Sequence, residues 1–351
     1  MSKTISIAEL RQRAAALPRV PLTPLPTPLE ECPRLAEAVG GGVRIFLKRD
    51  DLISLGFGGN KVRKLEFSLG AARAAGCDVL VNALAGQSNY CRQTAAAAAK
   101  AGLRCVLVLR RDHKTEDPPQ ANRLLDYIYG AEVQMVADAP AQSAAMKAAV
   151  ERLKAEGHKP YVVGHHDEVV GGVAYALCLA EILEQSAAAG VKPDWVFVTG
   201  RTGTTGGLNL GKRLLGFTGK VQSFNCSPHD EAVTRTYQGD LVRSATEAAG
   251  MLGLAEMFAP GDFSISAEYG GPAYGTPSEA CLDALLLLGR TEGIAVGPVY
   301  VAKGLSGVLD WIRTGKVARG QSVVFIHTGG TPEVFAYNRE IMERFTAQGR
   351  V

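Results

Sequence analysis

VLVNALAGQSNYCRQTAAAAAKAGLRCVLVL, residues 79–109, decides the fold class. Val79-Leu80-Val81-Asn82-Ala83 reads as a strand that runs into the turn Gly86-Gln87-Ser88. Arg92 to Ala101 reads as an Ala-rich helix closed by Gly102, and Cys105 to Leu109 as the next strand. A strand, a helix and a second strand in so short a span make a βαβ unit, and such a crossover joins parallel strands. Neither strand alternates apolar with polar positions, as expected where both faces of a sheet are covered.

The same grammar extends outward. Strands are expected at Val43–Lys48, Glu132–Val136, Tyr161–Val163, Trp195–Val198, Val221–Asn225, Ile294–Val296 and Val323–His327. Helices are expected at Leu65–Ala75 (ended by Gly76), Asn122–Tyr129, Ala141–Glu156 and Gly171–Ala188, with another after the Gly/Thr loop Gly200–Gly207. Alternating strands and helices imply an α/β chain with mostly parallel sheets. The expected architecture is two domains, each an open, mostly parallel twisted sheet flanked by helices. Residues 55–165 form a small inserted domain, and residues 1–54 and 166–351 a larger one. The Pro-rich opening, Pro18 to Pro28, is expected to be extended and to wrap the surface. No internal repeat stands out.

Composition narrows the function. At 351 residues, 46% hydrophobic and 21% charged, the chain is an ordinary globular one. A net charge of +3 gives no electrostatic case for nucleic acid or a membrane surface. The seven cysteines are scattered with no CxxC pair, which reads as reduced thiols of a cytoplasmic protein. The N-terminus is polar and lacks an apolar signal core. No segment reaches the roughly 18 uninterrupted apolar residues of a membrane span.

The chemistry concentrates in a few places. Gly58-Gly59-Asn60-Lys61 puts a lysine after two residues that let the backbone approach a ligand closely. A buried ammonium there loses solvation and its pKa falls, which makes Lys61 a candidate for Schiff-base chemistry. Gln87-Ser88-Asn89 falls outside the carboxyl end of a strand, where ligands of open α/β sheets bind; Ser88 and Asn89 also suit an N-cap for the following helix. The Gly/Thr loop between a strand and a helix offers backbone N–H groups and a positive helix end to a phosphate. A lysine together with a phosphate cradle points to pyridoxal 5′-phosphate. Tyr274 and Tyr300 sit on Gly/Pro loops as proton donors, ring-stacking partners or plain packing aromatics. Thr328 follows the last strand, in reach of a ring nitrogen or as a turn cap. His165-His166-Asp167 has the composition of a metal site, but adjacent histidines in a strand point to opposite faces and no third ligand is evident, so no metal is expected.

These motifs occur in an order that resembles one family. Pro-Thr-Pro-Leu (26–29), Lys48-Arg49-Asp50-Asp51, Gly-Gly-Asn-Lys (58–61), Gln-Ser-Asn (87–89) with Arg92-Gln93, the 200–207 loop, Tyr274-Gly275, Pro298-Val299-Tyr300 and His-Thr-Gly-Gly (327–330) are similar to those of the 1-aminocyclopropane-1-carboxylate deaminase and D-cysteine desulfhydrase family, within the fold-type II, tryptophan synthase β-like pyridoxal-phosphate enzymes. The resemblance implies Lys61 as the Schiff-base lysine. It implies Lys64, Thr202, Gly203, Thr204, Thr205 and Gly206 as phosphate anchors, and Asn89 near the cofactor's 3′-oxygen. It places Ser88 beside the substrate, Gln87 close to the substrate carboxylate, and Tyr274 and Tyr300 as the two active-site tyrosines. A homodimer is expected by the same analogy.

Two positions separate the branches. The deaminases carry Glu after the second tyrosine and His-Leu-Gly-Gly at the last motif; here these positions hold Val301 and Thr328. Desulfhydrases carry the Thr, but usually Ser or Thr at the Val301 position. A neutral Thr328 hydroxyl leaves the ring nitrogen without a charged partner and the ring a weaker electron sink, suited to eliminating a good leaving group. The expected activity is β-elimination on a small amino acid, D-cysteine foremost, yielding pyruvate, hydrogen sulfide and ammonia. Arg201 stands at a loop position usually small, which keeps L-cysteate and loss of sulfite open. Ring opening of 1-aminocyclopropane-1-carboxylate and a non-catalytic cofactor-binding protein are the remaining alternatives.

Overall fold

Residues 4–40, 42–112, 114–228 and 231–349 are described by a computed structural model, residues 231–234 by backbone alone. In chain order the elements are α1 (Ile7–Ala15), β1 (Leu29–Glu31), α2 (Pro33–Val39), β2 (Arg44–Arg49), α3 (Lys61–Ala74), β3 (Val79–Ala85), α4 (Asn89–Ala101), β4 (Arg104–Arg110), α5 (Ala121–Ile128), β5 (Glu132–Val136), α6 (Ala139–Ala155) and β6 (Pro160–Val162). They continue with α7 (His165–Ala188), β7 (Trp195–Thr199), α8 (Thr202–Leu214), β8 (Lys220–Phe224), α9 (Glu231–Met251), β9 (Ser264–Ser266), α10 (Glu279–Glu292), α11 (Val301–Arg313), β10 (Ser322–His327), α12 (Glu333–Ala336) and α13 (Asn338–Ala347).

The strands form two sheets. One has the order β5-β4-β3-β6 and is parallel throughout. The other has the order β1-β2-β10-β7-β8-β9 and is parallel except for the edge pair β1–β2. The expectation of two parallel-sheet cores flanked by helices is met. Successive side chains of a strand face opposite ways, and the larger sheet uses both faces for core. Trp195, Phe197, Val323 and Phe325 pack toward α2, α10 and α11. Val196, Val198, Val324 and Ile326 pack toward α7 and α8.

Helix α7 is long and apolar enough in composition to cross a membrane, but most of it is buried inside the molecule. Its crossing with α8 is close because small residues meet there: a Cβ on Gly207 would sit 2.4 Å from the Gly172 carbonyl oxygen.

Several local expectations need correction. Ile294–Val296 is not a strand; Ile294 and Val296 are buried core residues of the connection from α10 to α11. An apolar triplet signals burial, and burial alone does not make a strand. Gly200–Gly207 is mostly helix, since α8 begins at Thr202. Its low intrinsic propensity is overridden by the close packing on α7 that small residues allow. His165-His166-Asp167 opens α7 rather than lying in a strand, and Asp167 Oδ2 accepts from the Gly164 N–H at 2.6 Å. The Pro18–Pro28 segment does more than wrap the surface: Leu22 and Thr27 are buried, and the Val20 N–H donates to the Glu66 carbonyl. Helices α1, α2 and α9 to α13 and the short strands β1 and β9 were not anticipated.

Candidate active site

The carboxyl ends of six parallel strands, β4 with its last residue Arg110 among them, converge on one cavity of about 670 Å³. Its lining includes Asn82 to Ala85 of β3, Val163 and Gly164 after β6, Thr199 and Gly200 at the end of β7, Phe224 and Cys226 at the end of β8, and Thr328 and Gly329 after β10. The outside of the carboxyl ends is where open α/β sheets bind ligands.

Lys61 is the first residue of α3, and the turn before it is held from several sides. Gln93 Nε2 donates to the Gly58 carbonyl at 2.8 Å, Gln93 Oε1 accepts from the Val62 N–H at 3.0 Å, and Arg92 Nη2 reaches the Gly58 carbonyl at 3.1 Å. That is the work of the Arg-Gln pair after Gln-Ser-Asn. Gly59 and Gly329 both have positive φ and meet face to face: a Cβ on Gly329 would lie 2.5 Å from the Gly59 Cα. The Asn60 N–H donates to the Thr328 carbonyl at 3.0 Å. The lysine turn and the last-strand turn are thereby locked together. Burial, with Lys64 and Arg201 adding to it against the pull of Glu168, lowers the Lys61 ammonium to about 8. The lysine is poised to shed its proton near neutrality.

Across the cavity, Ser88 caps α4: its Oγ accepts from the N–H groups of Tyr90 and Cys91, both at 3.2 Å. Asn89 follows, with Oδ1 accepting from Asn122 Nδ2 at 2.9 Å and Nδ2 donating to Glu333 Oε1 at 2.6 Å. Tyr274 and Tyr300 stand edge to face with ring centroids 5.8 Å apart and share a hydrogen bond between their hydroxyls. Burial raises the pKa of both, so both phenols stay protonated proton donors. His327 is fully buried and structural: Nε2 donates to the Ala295 carbonyl at 3.0 Å, and Nδ1 accepts from the Gly329 N–H at 3.2 Å.

Lys61, Ser88, Asn89, Thr202, Thr204, Tyr274, Tyr300 and Thr328 therefore line one cavity, whereas Lys64, Gln87, Gly203, Thr205 and Gly206 do not. Gln87 is spent on a neighbouring loop, its Nε2 donating to the Lys114 carbonyl at 2.7 Å and its Oε1 accepting from the Asn122 N–H at 3.1 Å. The structure gives its side chain no place against a substrate carboxylate. Thr205 turns beneath α8, where its Oγ1 bonds the Ser223 hydroxyl at 2.9 Å and the Tyr237 hydroxyl at 3.2 Å. Lys64 pairs with Glu168 and lies over the Tyr90 ring, its Nζ 3.9 Å from the centroid. Glu168, Glu333, Arg110 and Asn60 were missed by the sequence reading; the carboxylates carry no motif that separates them from surface residues.

Glu168 decides whether an anion fits. Its Oε2 accepts from the Gly203 N–H at the start of α8 at 2.8 Å, and its Oε1 from Lys64. Burial pushes this carboxyl up, but Lys64 and Lys61 outweigh it and hold the group at about 2. A carboxylate thus occupies a backbone donor and an ammonium, the donor set a phosphate takes at a helix N-terminus. The Glu168 side chain is 32% exposed, so it has room to turn out when a phosphate arrives. With Lys61 desolvated, Asn89 offering a donor and Thr328 a hydroxyl on the walls, pyridoxal phosphate fits the residues present.

Comparisons with known proteins agree. Residues 20–329 match the family model described as "Pyridoxal-phosphate dependent enzyme". The chain is 36% identical to a 1-aminocyclopropane-1-carboxylate deaminase of Burkholderia cenocepacia over 330 residues, covering 92% of this chain and 96% of that one. It is also 36% identical to a D-cysteine desulfhydrase of Yersinia enterocolitica over 336 residues, covering 95% and 99% respectively. A crystal structure titled an ACC deaminase homologue superposes with a TM-score of 0.85 at 32% identity, covering 96% of this chain and 99% of that one.

Proposed function

Because this chain belongs to the pyridoxal-phosphate-dependent enzyme family, we propose that it is a cytoplasmic lyase removing a β-substituent from a small amino acid, D-cysteine foremost. The products would be pyruvate, hydrogen sulfide and ammonia. The observation that carries this reading is the wall after β10. Thr328 brings a neutral hydroxyl to the cavity, while Val301 is buried in the apolar core, where the deaminases of the family have glutamate. Pyridoxal phosphate, when bound, supplies an electrophilic carbonyl and an electron sink for charge developing at the substrate Cα.

The chain's own groups would do the rest. Lys61 Nζ holds the cofactor and, once released, moves the proton at the substrate Cα. Ser88 and Asn89 orient the substrate and the ring from the start of α4. Lys64 and the α8 N–H groups receive the phosphate as Glu168 turns out. The Tyr274–Tyr300 hydroxyl pair hands a proton to the departing sulfur. A division into a small domain of residues 55–165 and a larger one from 1–54 and 166–351 would set the cavity between the two sheets.

A second reading keeps the cofactor and changes the leaving group to sulfite. Arg201 and Arg110 both line the cavity, and neither guanidinium has a hydrogen-bond or ion-pair partner among the described residues. A sulfonate would take either as a charge-assisted partner. Sulfide, sulfite and 2-oxobutanoate assayed side by side from D-cysteine, L-cysteate and 1-aminocyclopropane-1-carboxylate separate the possibilities. Sulfide is expected to dominate by at least about tenfold in kcat/KM, and Arg201→Ala to leave that rate within about threefold. Should sulfite dominate instead, and Arg201→Ala lower its release by about 10–100-fold, the loss expected for a hydrogen bond to a charged group, the sulfo-lyase reading replaces this one. Dominant 2-oxobutanoate makes the protein a deaminase; bound cofactor with no product from any of them makes it a non-catalytic binder.

The homodimer belongs to the proposal too. Leu124, Tyr127 and Ile128 of α5 and Phe335 of the contacting α12 are exposed apolar side chains, the kind of surface that partners cover. Sedimentation at twice the 37.1 kDa chain mass is expected; a monomer at micromolar concentration would count against it.

A further inference from the structure

Glu333 is 1% exposed, and no role in the reading above falls to it. Room is left for its carboxyl: a Cβ on Gly297 would come within 2.5 Å of Oε2, and one on Gly330 within 3.2 Å. Its Oε1 accepts from Asn89 Nδ2 at 2.6 Å. On the other side of the amide, Asn89 Oδ1 accepts from Asn122 Nδ2, whose remaining hydrogen goes to the Gln87 carbonyl at 2.8 Å. Arg92 Nη2 approaches the same Oδ1 at 3.4 Å.

This arrangement removes a freedom that asparagine otherwise has. A terminal amide can turn over and exchange its oxygen and nitrogen at little steric cost. Turned over here, Asn89 would set its NH₂ against the donors of Asn122 and Arg92, and its oxygen against a carboxyl oxygen. Both contacts would be lost and the donors left buried and unpaired, which is costly.

We propose that Glu333 is a positioning residue: it fixes the Asn89 amide so that the second Nδ2 hydrogen is the donor kept for the ligand in the cavity. This rests on the proposed function, in which Asn89 faces the cofactor's 3′-oxygen. Burial pushes the Glu333 carboxyl up to about 8, against the pull of Asn89, Arg92, Val299 and Lys303. Ionised, the carboxyl can only accept and so holds Asn89 Nδ2 toward it; protonated, it can also donate, and the donors of Asn122 and Arg92 then keep the amide in this orientation.

The test is a titration of apoprotein with pyridoxal phosphate, followed by protein fluorescence and by the cofactor's visible absorbance. It is run on wild type, Glu333→Gln, Glu333→Ala, Asn89→Ala and the double alanine variant, with thermal midpoints recorded alongside. Glu333→Gln keeps an acceptor and is expected to bind within about threefold of wild type. Glu333→Ala and Asn89→Ala are each expected to weaken binding about tenfold, and the double variant no more than either alone, since contacting residues are coupled. Glu333→Met, which keeps the volume, carries the same expectation if the alanine cavity unfolds the protein. Wild-type affinity in Glu333→Ala or Glu333→Met overturns the proposal, as does a double variant weakened by the product of the two single effects. A wild type that takes up no pyridoxal phosphate overturns the cofactor reading and this proposal together.

Discussion

Lys61→Ala is expected to lower turnover by at least about 10³-fold with every amino acid the wild type accepts. It should also abolish the yellow visible band of lysine-bound pyridoxal phosphate. Borohydride reduction of the wild-type holoenzyme should tether the cofactor to the peptide containing Lys61 and to no other. The apoprotein of the variant should be at least as stable as wild type. In the native fold Lys61 is a desolvated ammonium near Lys64 and Arg201 with a pKa lowered to about 8, so deleting it removes an electrostatic burden. The same value fixes the pH dependence of cofactor uptake. Only the neutral amine reacts, so the rate at which the wild-type apoprotein takes up the cofactor should rise with pH through about 8 and level off above it. A variant that turns over at the wild-type rate, or cofactor tethered at another lysine, would remove Lys61 from the reaction.

What the sequence disclosed about this site, and what it hid, follows from where the information lies. The place of Lys61 on the cavity wall was legible because the geometry of Gly-Gly-Asn-Lys is local: glycines clear the approach and the lysine begins a helix. Ser88 was legible because a cap needs only its own turn. The βαβ units were legible because their apolar runs and glycine stops are local too. Glu333 was hidden because it meets Asn89 across 244 residues of chain, and no periodicity in either segment announces the pairing. Glu168 was hidden for the same reason, since Lys64 lies 104 residues away. Gln87 and Thr205 were misplaced differently. Their positions in the motifs were read correctly, but the direction of a side chain depends on competing partners. Lys114 and Asn122 claim Gln87; Ser223 and Tyr237 claim Thr205. The start of α8 was misread because composition favoured a loop, whereas a close helix crossing rewards the same small residues.

Arg63→Met is the substitution expected to cost the most stability, about 3–5 kcal/mol. Lys48-Arg49-Asp50-Asp51 reads as a charged stretch, yet Lys48 and Asp50 are fully buried. Arg63, two residues after Lys61, holds them together. Its Nε and Nη2 donate to the two carboxylate oxygens of Asp50 at 2.9 and 2.8 Å, and its Nη1 and Nη2 to those of Glu181 at 2.8 and 2.9 Å. Lys48 Nζ lies 2.8 Å from Glu181 Oε2, and the Tyr175 hydroxyl donates to Asp50 at 2.9 Å. Two acids and two bases cancel, so the cluster is tolerable as a whole and costly when broken. Burial works against both carboxylates, but Arg63 outweighs it and both are held below their ordinary pKa. Their contribution to stability is therefore complete at neutral pH and lost as pH falls below the ordinary carboxylate range. The Arg63→Met variant would leave Asp50 a buried carboxyl without its main cation, so its pKa should rise and the variant should lose less stability on acidification than wild type does. Denaturant midpoints compared at pH 7 and pH 4 test both the size and the sign. The site should register the loss as well, because the Asp50 carbonyl accepts the Gly59 N–H at 2.9 Å, tying this cluster to the turn that presents Lys61. Arg63→Lys, which keeps the charge but not the fork, should fall between the two. A midpoint for Arg63→Met equivalent to less than about 1 kcal/mol of destabilisation would mean that water or repacking replaces the guanidinium, and that the cluster does not hold the lysine turn in place.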